Sequence, residues 1–326
     1  MKVSVLRMGG AEQDVELSEG ATVQDLRDAI ELCFVTGKLA YRITCNNAVL
    51  QPCTTKLVDL GVQHGSIILM LTEFARDYAK ITSFERTIQC GRYPNGVLID
   101  QHGQLLVSHY FGELQVYNDE YSMVKSLQLP GKAPSQMAVA PSGELLIAFR
   151  SNSNVGVFDS SLEHLRDIGA GMIPAGVAVA GELVFISDIQ EQAVRVFRFA
   201  DGQLLETLGG KQGNKVQLSF PSGLAIVENR LLAITDRGSN CVLLLSLEGF
   251  EMAGRLPGDA SDQRAQLKQP NDVAVDSAGN LLVMDTGNER IAVYRQDGSL
   301  LASVMEGFFK DHGNTFSFLA CNQDTG

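Results

Sequence analysis

The chain has 326 residues, a length that suggests about two domains. Hydrophobic residues make up 45% and charged residues 20% of it, which is typical of globular proteins and excludes a largely disordered chain. The 26 basic and 38 acidic residues give a formal net charge of −12. Such a surface would repel a phosphate backbone, so we do not expect a nucleic-acid partner.

The spacing of the cysteines and the length of the apolar runs indicate the cellular compartment of the protein. The 6 cysteines include no Cys-x-x-Cys pair, so no zinc finger or thioredoxin-like motif is indicated. The chain shows no basic-then-apolar leader, and its longest apolar run, residues 67–71, is too short to span a membrane. We therefore expect a soluble, cytoplasmic protein without membrane association, and we expect no metal and no cofactor.

Residues 1–74 have the pattern of a small α+β domain. Four stretches have the apolar pattern of strands, at residues 2–6, 14–17, 41–45 and 67–71. Between the second and third stretches, Thr22 and Asp25 can cap the first turn of an amphipathic helix. The predicted order is two strands, one helix and two strands.

Two segments of this domain, Thr22–Ile30 and Leu57–Gln63, resemble the ubiquitin-like family. The resemblance implies a β-grasp domain over residues 1–74 with an apolar recognition patch. By alignment, that patch would consist of Met8, Thr44, Ile68 and Met70. The last strand runs into Thr72–Arg76 and not into a two-glycine tail, so we do not expect conjugation to lysines.

A repeat follows a linker at residues 75–82. Each repeat begins with a proline, and successive prolines are 40, 40, 47 and 49 residues apart; they are Pro94, Pro134, Pro174, Pro221 and Pro270. From the third residue after each proline to the end of the next strand, the distances are 12, 12, 11, 12 and 12 residues. This period is near the roughly 40–50 residues of a four-stranded propeller blade.

The segments Leu208–Ala225 and Leu281–Tyr294 resemble the NHL repeat. The resemblance implies a β-propeller over residues 83–326, with five complete blades and a partial sixth. Residues 316–321 would form the first strand of the sixth blade, and residues 84–88 its outer strand. Either the sequence is truncated or another chain completes this blade, and a five-bladed ring is a further alternative.

Positions at which the repeats depart from their own pattern are the candidate binding residues. After the second strand, four side chains interrupt the Asp-Thr-Gly turn with residue types favoured at interfaces, namely Tyr110, Phe111, Arg150 and Arg237. The aspartates of the turn, Asp188, Asp236 and Asp285, are expected to bond backbone amides and to be structural. Asn95, Asn271 and Asp272 begin first strands and could point into a channel.

Three functions are consistent with this organisation. The main interpretation is a non-catalytic adaptor: the propeller binds a protein, and the ubiquitin-like domain addresses proteasome or ubiquitin-ligase components. The first alternative is a metal-dependent propeller hydrolase or lyase, which needs carboxylates, amides or histidines converging on the axis. The second is an RNA-binding NHL propeller, which the balance of 20 basic and 29 acidic residues after residue 74 disfavours. No catalytic residue is predicted.

Overall fold

The chain divides into two compact units, Met1–Asp77 and Tyr78–Gly326. A computed structural model describes residues 2–7, 12–18, 20–22, 25–26, 41–45, 48–49 and 67–72 of the first unit, and residues 93–211, 215–258, 261–304 and 320 of the second. The predicted boundaries at 74 and 82 and, except for residue 320, both segments of the partial sixth blade lie outside the described residues. They stay predictions.

The first unit contains a five-stranded mixed sheet. Its strands are β1 (Lys2–Arg7), β2 (Glu12–Glu16), β3 (Tyr41–Cys45), β4 (Ala48–Val49) and β5 (Ile67–Thr72). Their order across the sheet is β2-β1-β5-β3-β4, and the first and last strands of the unit pair in parallel at its centre. The remaining pairs are antiparallel.

The predicted helix cap of this unit is confirmed. The Thr22 N–H donates to Asp25 Oδ2 at 2.7 Å, and the Asp25 N–H donates back to Thr22 Oγ1 at 3.3 Å. These bonds hold the pKa of the Asp25 carboxyl below its usual value. The reciprocal bonds satisfy amides that a helix start leaves without partners, and residues 25–26 are helical.

The second unit consists of five antiparallel four-stranded sheets, which we call blades 1 to 5. Blade 1 comprises β6 (Pro94–Ile99), β7 (Leu105–His109), β8 (Glu113–Tyr117) and β9 (Met123–Gln128). Blade 2 comprises β10 (Pro134–Val139), β11 (Leu145–Phe149), β12 (Asn154–Phe158) and β13 (His164–Ile168). Blade 3 comprises β14 (Pro174–Ala180), β15 (Leu183–Asp188), β16 (Ala193–Arg198) and β17 (Leu204–Gly209).

Blade 4 comprises β18 (Pro221–Val227), β19 (Leu231–Asp236), β20 (Cys241–Ser246) and β21 (Met252–Leu256). Blade 5 comprises β22 (Pro270–Val275), β23 (Leu281–Asp285), β24 (Arg290–Tyr294) and β25 (Leu300–Val304). Every blade begins at a repeat proline, and every second strand ends at the predicted residue. Third strands of blades 3 and 4 run one residue further than predicted, to Arg198 and Ser246.

The blades pack side by side through their faces, and the cores lie between them. The first strand of each blade contacts that of the next, from β6 to β22 in order. Val157 of blade 2 and Val177 of blade 3, for example, are buried in one apolar cluster. This arrangement is a β-propeller with five blades. Among the described strands, no contact of similar extent joins β22 to β6.

Hydroxyl groups on the second strands tie one blade to the next. Ser187 Oγ donates to the Ser222 carbonyl at 2.6 Å, and Thr235 Oγ1 donates to the Asn271 carbonyl at 3.2 Å. Both hydroxyl residues are buried, so these bonds satisfy polar groups that would otherwise be costly inside the protein. They fix the spacing of the first strands around the axis.

Candidate functional site

One end of the propeller carries the residues at which the repeats differ. In each blade the first strand begins where the second ends, because the two pair antiparallel: Pro134, for example, lies opposite Phe149, and Pro221 lies opposite Asp236. We call this end, where the five repeat prolines lie, the proline face. The turns after the second strands therefore come together on it.

The propeller axis is closed near the proline face. The third residue of each repeat lies there, and the five are Gly96, Gln136, Gly176, Gly223 and Asp272. A Cβ atom at Gly176 would lie 2.3 Å from the Ser222 carbonyl oxygen, and one at Gly223 would lie 2.1 Å from Asp272 Oδ1. Only glycine fits at such distances, so the first strands approach one another very closely.

Gln136 fills the space that these glycines leave. Its Oε1 accepts the N–H groups of Val177 and Leu224, both at 3.0 Å. Its Nε2 donates to the Leu224 carbonyl at 2.9 Å and to Asp272 Oδ1 at 2.8 Å. One side chain of blade 2 thus bonds to blades 3, 4 and 5 and closes the axis at this end of the propeller.

Asn95 and Asn271 bond to neighbouring blades. Asn95 Nδ2 donates to the Pro134 carbonyl, and Asn271 Oδ1 accepts from Ser222 Oγ at 3.4 Å. Of the three residues expected at a channel, Asp272 bonds across the axis to Gln136. Sequence reasoning missed Gln136, although its replacement of the glycine found in three other blades was a visible signal.

The aspartates that end the second strands of blades 3 to 5 hold the loops before the first strands. Asp236 accepts the N–H groups of Ser219 at 3.0 Å and Phe220 at 2.7 Å, and Asp285 accepts that of Lys268 at 2.7 Å. Asp188 accepts the Ile173 N–H at 3.3 Å. The predicted structural role of these three carboxylates is confirmed.

In each blade, the residue that directly follows the second strand belongs to a ring on the proline face. The five ring residues are Tyr110, Arg150, Ile189, Arg237 and Thr286. In blades 1 to 4 the backbone N–H of the ring residue donates to the carbonyl before the first strand, as in Arg150 to Ala133 at 3.2 Å and Arg237 to Phe220 at 3.0 Å. The backbone therefore holds these positions equivalently while the side chains differ. No ring residue is acidic.

Arg150 and Arg237, which were predicted from sequence, act on each other electrostatically. Both are half-buried. Burial lowers the pKa of the Arg150 guanidinium, and the positive charge of Arg237 lowers that pKa further. The Arg237 guanidinium stacks 5.8 Å from the centre of the Phe220 ring, and one of its NH₂ groups donates to Gln269 Oε1 at 3.4 Å. The two positive groups lie at equivalent positions of the ring, in blades 2 and 4.

Tyr110 and Phe111, the other predicted residues of the propeller, belong to an exposed aromatic cluster. Their side chains are 50% and 61% exposed, which is unusual for large apolar groups. Phe111 makes edge-to-face contacts with Tyr110, at 5.4 Å between ring centres, and with Tyr93 at 5.8 Å. The Ala133 N–H donates to the Tyr110 carbonyl at 2.8 Å, and Ala133 in turn accepts the Arg150 N–H. The aromatic cluster is thereby joined to the arginine of blade 2.

The four predicted residues of the first unit are only partly within the described chain. Met8 lies outside it. In the sheet, Ile68 lies opposite Cys45 and Met70 lies opposite Ile43, whereas Thr44 lies opposite Leu69. Their role in recognition stays a prediction.

The described part of the chain was also searched for metal sites and membrane spans. Within those ranges, no group of three or more His, Cys, Asp or Glu side chains is placed to hold a metal ion. No helix in them has the length and apolarity needed to cross a bilayer. Cys241 is buried, and burial raises the pKa of its thiol to about 11, so it stays protonated and unreactive at neutral pH.

Comparison with known proteins finds both a repeat family and similar folds. Residues 267–294 match the NHL repeat. The fold is similar to that of virginiamycin B lyase from Staphylococcus aureus, with 11% identity and a TM-score of 0.51 over 64% of this chain and 68% of that one. It is also similar to a streptogramin B lyase, with 12% identity and a TM-score of 0.52 over 64% and 67% of the two chains.

A protein of unknown function from Bacteroides caccae gives a TM-score of 0.57 at 17% identity, over 78% of this chain and 93% of that one. No curated protein sequence matches the chain. The expected non-catalytic adaptor is corrected by these comparisons, because the two similar propellers with a named activity given above are lyases. The chain carries an NHL repeat within a five-bladed β-propeller.

Proposed function

We propose that the propeller is a lyase whose active site lies on the proline face. The observation that carries the proposal is that Arg150 and Arg237 occupy equivalent positions of the ring on this face, which also carries an exposed aromatic cluster. The fold shared with two lyases supports an enzymatic role over a binding role alone. This is the enzymatic alternative of the sequence analysis, without a metal assigned to it.

The chemistry of an elimination fits a positively charged site. A base removes a proton from the carbon next to a carbonyl group, and the leaving group departs with the electrons of its bond. Negative charge develops on the carbonyl oxygen as the proton leaves. Guanidinium groups placed beforehand stabilise that charge, most effectively where water is partly excluded. The half-buried Arg150 and Arg237 meet this requirement.

The closed axis supports a substrate bound on the face. Because Gln136 bonds to three other blades, the floor beneath the ring is protein and not an open channel. A substrate would then rest on the arginines and on Tyr110 and Phe111. Aromatic walls with few polar groups are typical of small-molecule sites.

The proposal is tested by incubating the full-length protein with virginiamycin B and with carboxylate esters that carry a leaving group next to an acidic carbon. Mass spectrometry separates the two enzymatic alternatives. An elimination gives products whose masses add up to that of the substrate, with a new carbon–carbon double bond, whereas hydrolysis adds one water. Elimination that is lost in Arg237→Gln is the expected result. Hydrolysis, or no conversion of any of these compounds, would contradict it.

We also infer that the first unit is a ubiquitin-like domain. The proposal is supported by the mixed sheet with its parallel central pair and by the reciprocal bonds of Thr22 and Asp25. A nuclear magnetic resonance assignment of the full chain tests it: a helix continuing from residue 25 to about residue 30 is expected, and an extended segment there would contradict it. Binding of ubiquitin-pathway proteins by this unit stays a prediction.

A further inference from the structure

We propose that a cavity between blades 1 and 2 binds a small aliphatic amine, with a branched alkyl group inside the cavity and the ammonium group at its rim. The cavity lies at the end of the propeller opposite the proline face, so this inference goes beyond the proposed function and does not depend on it. We call that end the turn face, because it carries the turns between the first and second strands and between the third and fourth strands.

The cavity has an apolar floor and a volume of about 80 Å³. The apolar side chains that line it come from both blades and are Leu106, Val116, Val139, Leu145 and Leu162. Leu106, Val116 and Leu145 are at most 4% exposed, so they form the floor. An apolar cavity of about 150 Å³ holds benzene, so about half that volume suits an alkyl group of about three or four carbon atoms.

Two carboxylates at the rim, those of Asp100 and Asp159, each have one oxygen atom that no described residue bonds. Asp100 Oδ1 accepts two N–H groups of its own turn, both at 2.8 Å. Asp159 Oδ1 accepts two N–H groups of its turn, both at 2.9 Å. These bonds fix the carboxylates in place and leave the Oδ2 atom of each for a ligand. An ammonium group has three N–H donors for such acceptors.

The equivalent turn of blade 5 uses both oxygen atoms of its aspartate. Asp276 Oδ1 accepts the N–H of Asn280 at 2.7 Å, and Asp276 Oδ2 accepts from Asn280 Nδ2 at 2.8 Å. In blade 1 the position of Asn280 is taken by Gln104, whose side chain makes no bond to Asp100 within the described ranges. The turn can thus satisfy this oxygen atom from within, and at the cavity it leaves the atom to a ligand.

Lys125 lies beside the rim and joins the two walls of the cavity. Its Nζ atom donates to the Ser161 carbonyl at 2.8 Å, which links β9 of blade 1 to the turn that contains Asp159. The walls are therefore connected before a ligand binds, and this preorganisation lowers the free-energy cost of binding.

The turn face is strongly acidic, which favours a cation over other small ligands. Its ten turns carry 13 acidic and 2 basic residues, whereas the described loops of the proline face carry 3 acidic and 7 basic residues. A surface of one sign raises the local concentration of ligands of the opposite sign. An amine is therefore preferred to a carboxylate or an amino acid of the same shape. The ten turns are residues 100–104, 118–122, 140–144, 159–163, 181–182, 199–203, 228–230, 247–251, 276–280 and 295–299.

A nuclear magnetic resonance titration of the full-length protein, followed by backbone amide shifts, measures binding and locates it. The ligands of one shape are isobutylamine, the neutral isobutanol, the amino acid valine and the anion isobutyrate, and methylamine tests charge without the alkyl group. At constant ionic strength, we expect isobutylamine to bind with a Kd of about 1–10 mM, as for a good ligand of five non-hydrogen atoms. The other four should bind about tenfold more weakly or less. Shifts should concentrate on residues 100–104 and 159–163.

Variants of the rim and of the wall make the result specific. Asp100→Asn and Asp159→Asn each remove a charge and keep the Oδ1 acceptor of the turn, and each should raise the Kd of isobutylamine by about two- to fivefold. The matched control is Asp297→Asn, because Asp297 Oδ1 also accepts an N–H of its own turn, on the same face but in blade 5; it should leave the Kd unchanged. Val139→Met places a longer side chain in the cavity and should abolish binding.

Several outcomes would overturn the proposal. They are equal binding of isobutylamine and isobutanol, equal binding of isobutylamine and methylamine, an equal loss in Asp297→Asn and Asp100→Asn, and shifts spread over the whole turn face. Should Val139→Met fail to fold, the aspartate variants and the ligand series still decide. The readout is independent of turnover, so amine binding can be found without elimination and elimination without amine binding.

Discussion

Blades 3, 4 and 5 end their second strands with an aspartate, whereas blades 1 and 2 end theirs with His109 and Phe149. In the first group a carboxylate holds the loop that leads to the first strand. In blade 2 an aromatic ring does so by packing: a Cβ atom at Gly131 of that loop would lie 2.5 Å from the Phe149 ring. The same position is thus supported by hydrogen bonds in some blades and by apolar contact in another.

The difference shows which residues the fold needs and which it leaves open. Where the loop is already held, the next residue is not constrained, and at that position the propeller carries Tyr110, Arg150 and Arg237. Support for the fold and variation at the surface are therefore adjacent along the chain. Variants of residues in both groups of blades test this comparison between support by hydrogen bonds and support by apolar contact.

The largest effect is expected from Asp285→Ala. The Asp285 carboxylate also accepts from Arg290 Nε at 2.7 Å and from Asn288 Nδ2 at 2.8 Å, and both partners of the Asp285–Arg290 pair are buried. Removing one member of a buried pair leaves a charge uncompensated, so the free energy of unfolding should fall by about 3–5 kcal/mol. Urea titration measures it. Asp285→Asn removes the charge but keeps an acceptor and should lose less; equal losses would show that the retained acceptor contributes nothing to stability.

Gly223→Ala tests whether the first strands of neighbouring blades must approach each other closely at the axis. The new Cβ would overlap Asp272, which Gln136 holds in place, and overpacking of this kind costs about 1–3 kcal/mol. The matched control is Gly254→Ala in β21, where the nearest atom would be 3.4 Å away, an ordinary contact. Thermal unfolding of the two variants gives the comparison. Equal stability would mean that the first strands can move apart.

Phe149→Leu tests the apolar support of blade 2. Leucine retains most of the apolar volume, so the free energy of unfolding should fall by less than about 1.5 kcal/mol, less than for Asp285→Ala. Chemical denaturation of both variants checks the order. A larger loss than in Asp285→Ala would reverse the comparison between the two groups of blades. Leu165→Ala, at a 52% exposed position in β13, serves as the control.

The smallest effect concerns Glu113 in blade 1. Hydrogen bonds from Gln115 and Ser126 hold the pKa of the Glu113 carboxyl below 4.5 in the folded protein. Its contribution to stability is therefore complete above that pH and is lost as the pH falls through the folded-state pKa. Glu113→Gln should lower the unfolding temperature slightly at neutral pH and less at about pH 3. If the difference in unfolding temperature between the variant and the parent protein grew on acidification, this prediction would be wrong.

The repeat and its strand boundaries could be predicted because spacing along the chain records them. A strand of fixed length followed by a tight turn returns the backbone to the same edge, so the intervals of 11 or 12 residues identified the ends of every second strand. The capping of Thr22 by Asp25 was equally local. Departures from the repeat also identified Arg150 and Arg237, which the structure places at equivalent positions of the ring.

The sequence by itself determined the blades, because hydrophobic period, turn residues and repeat length are properties of neighbouring positions. Only the tertiary structure decided what lies between blades. Gln136 bonds to residues 88 and 136 positions further along the chain, in blades 4 and 5. Such contacts depend on the angle and spacing at which the sheets pack, and no local pattern in the chain encodes those quantities.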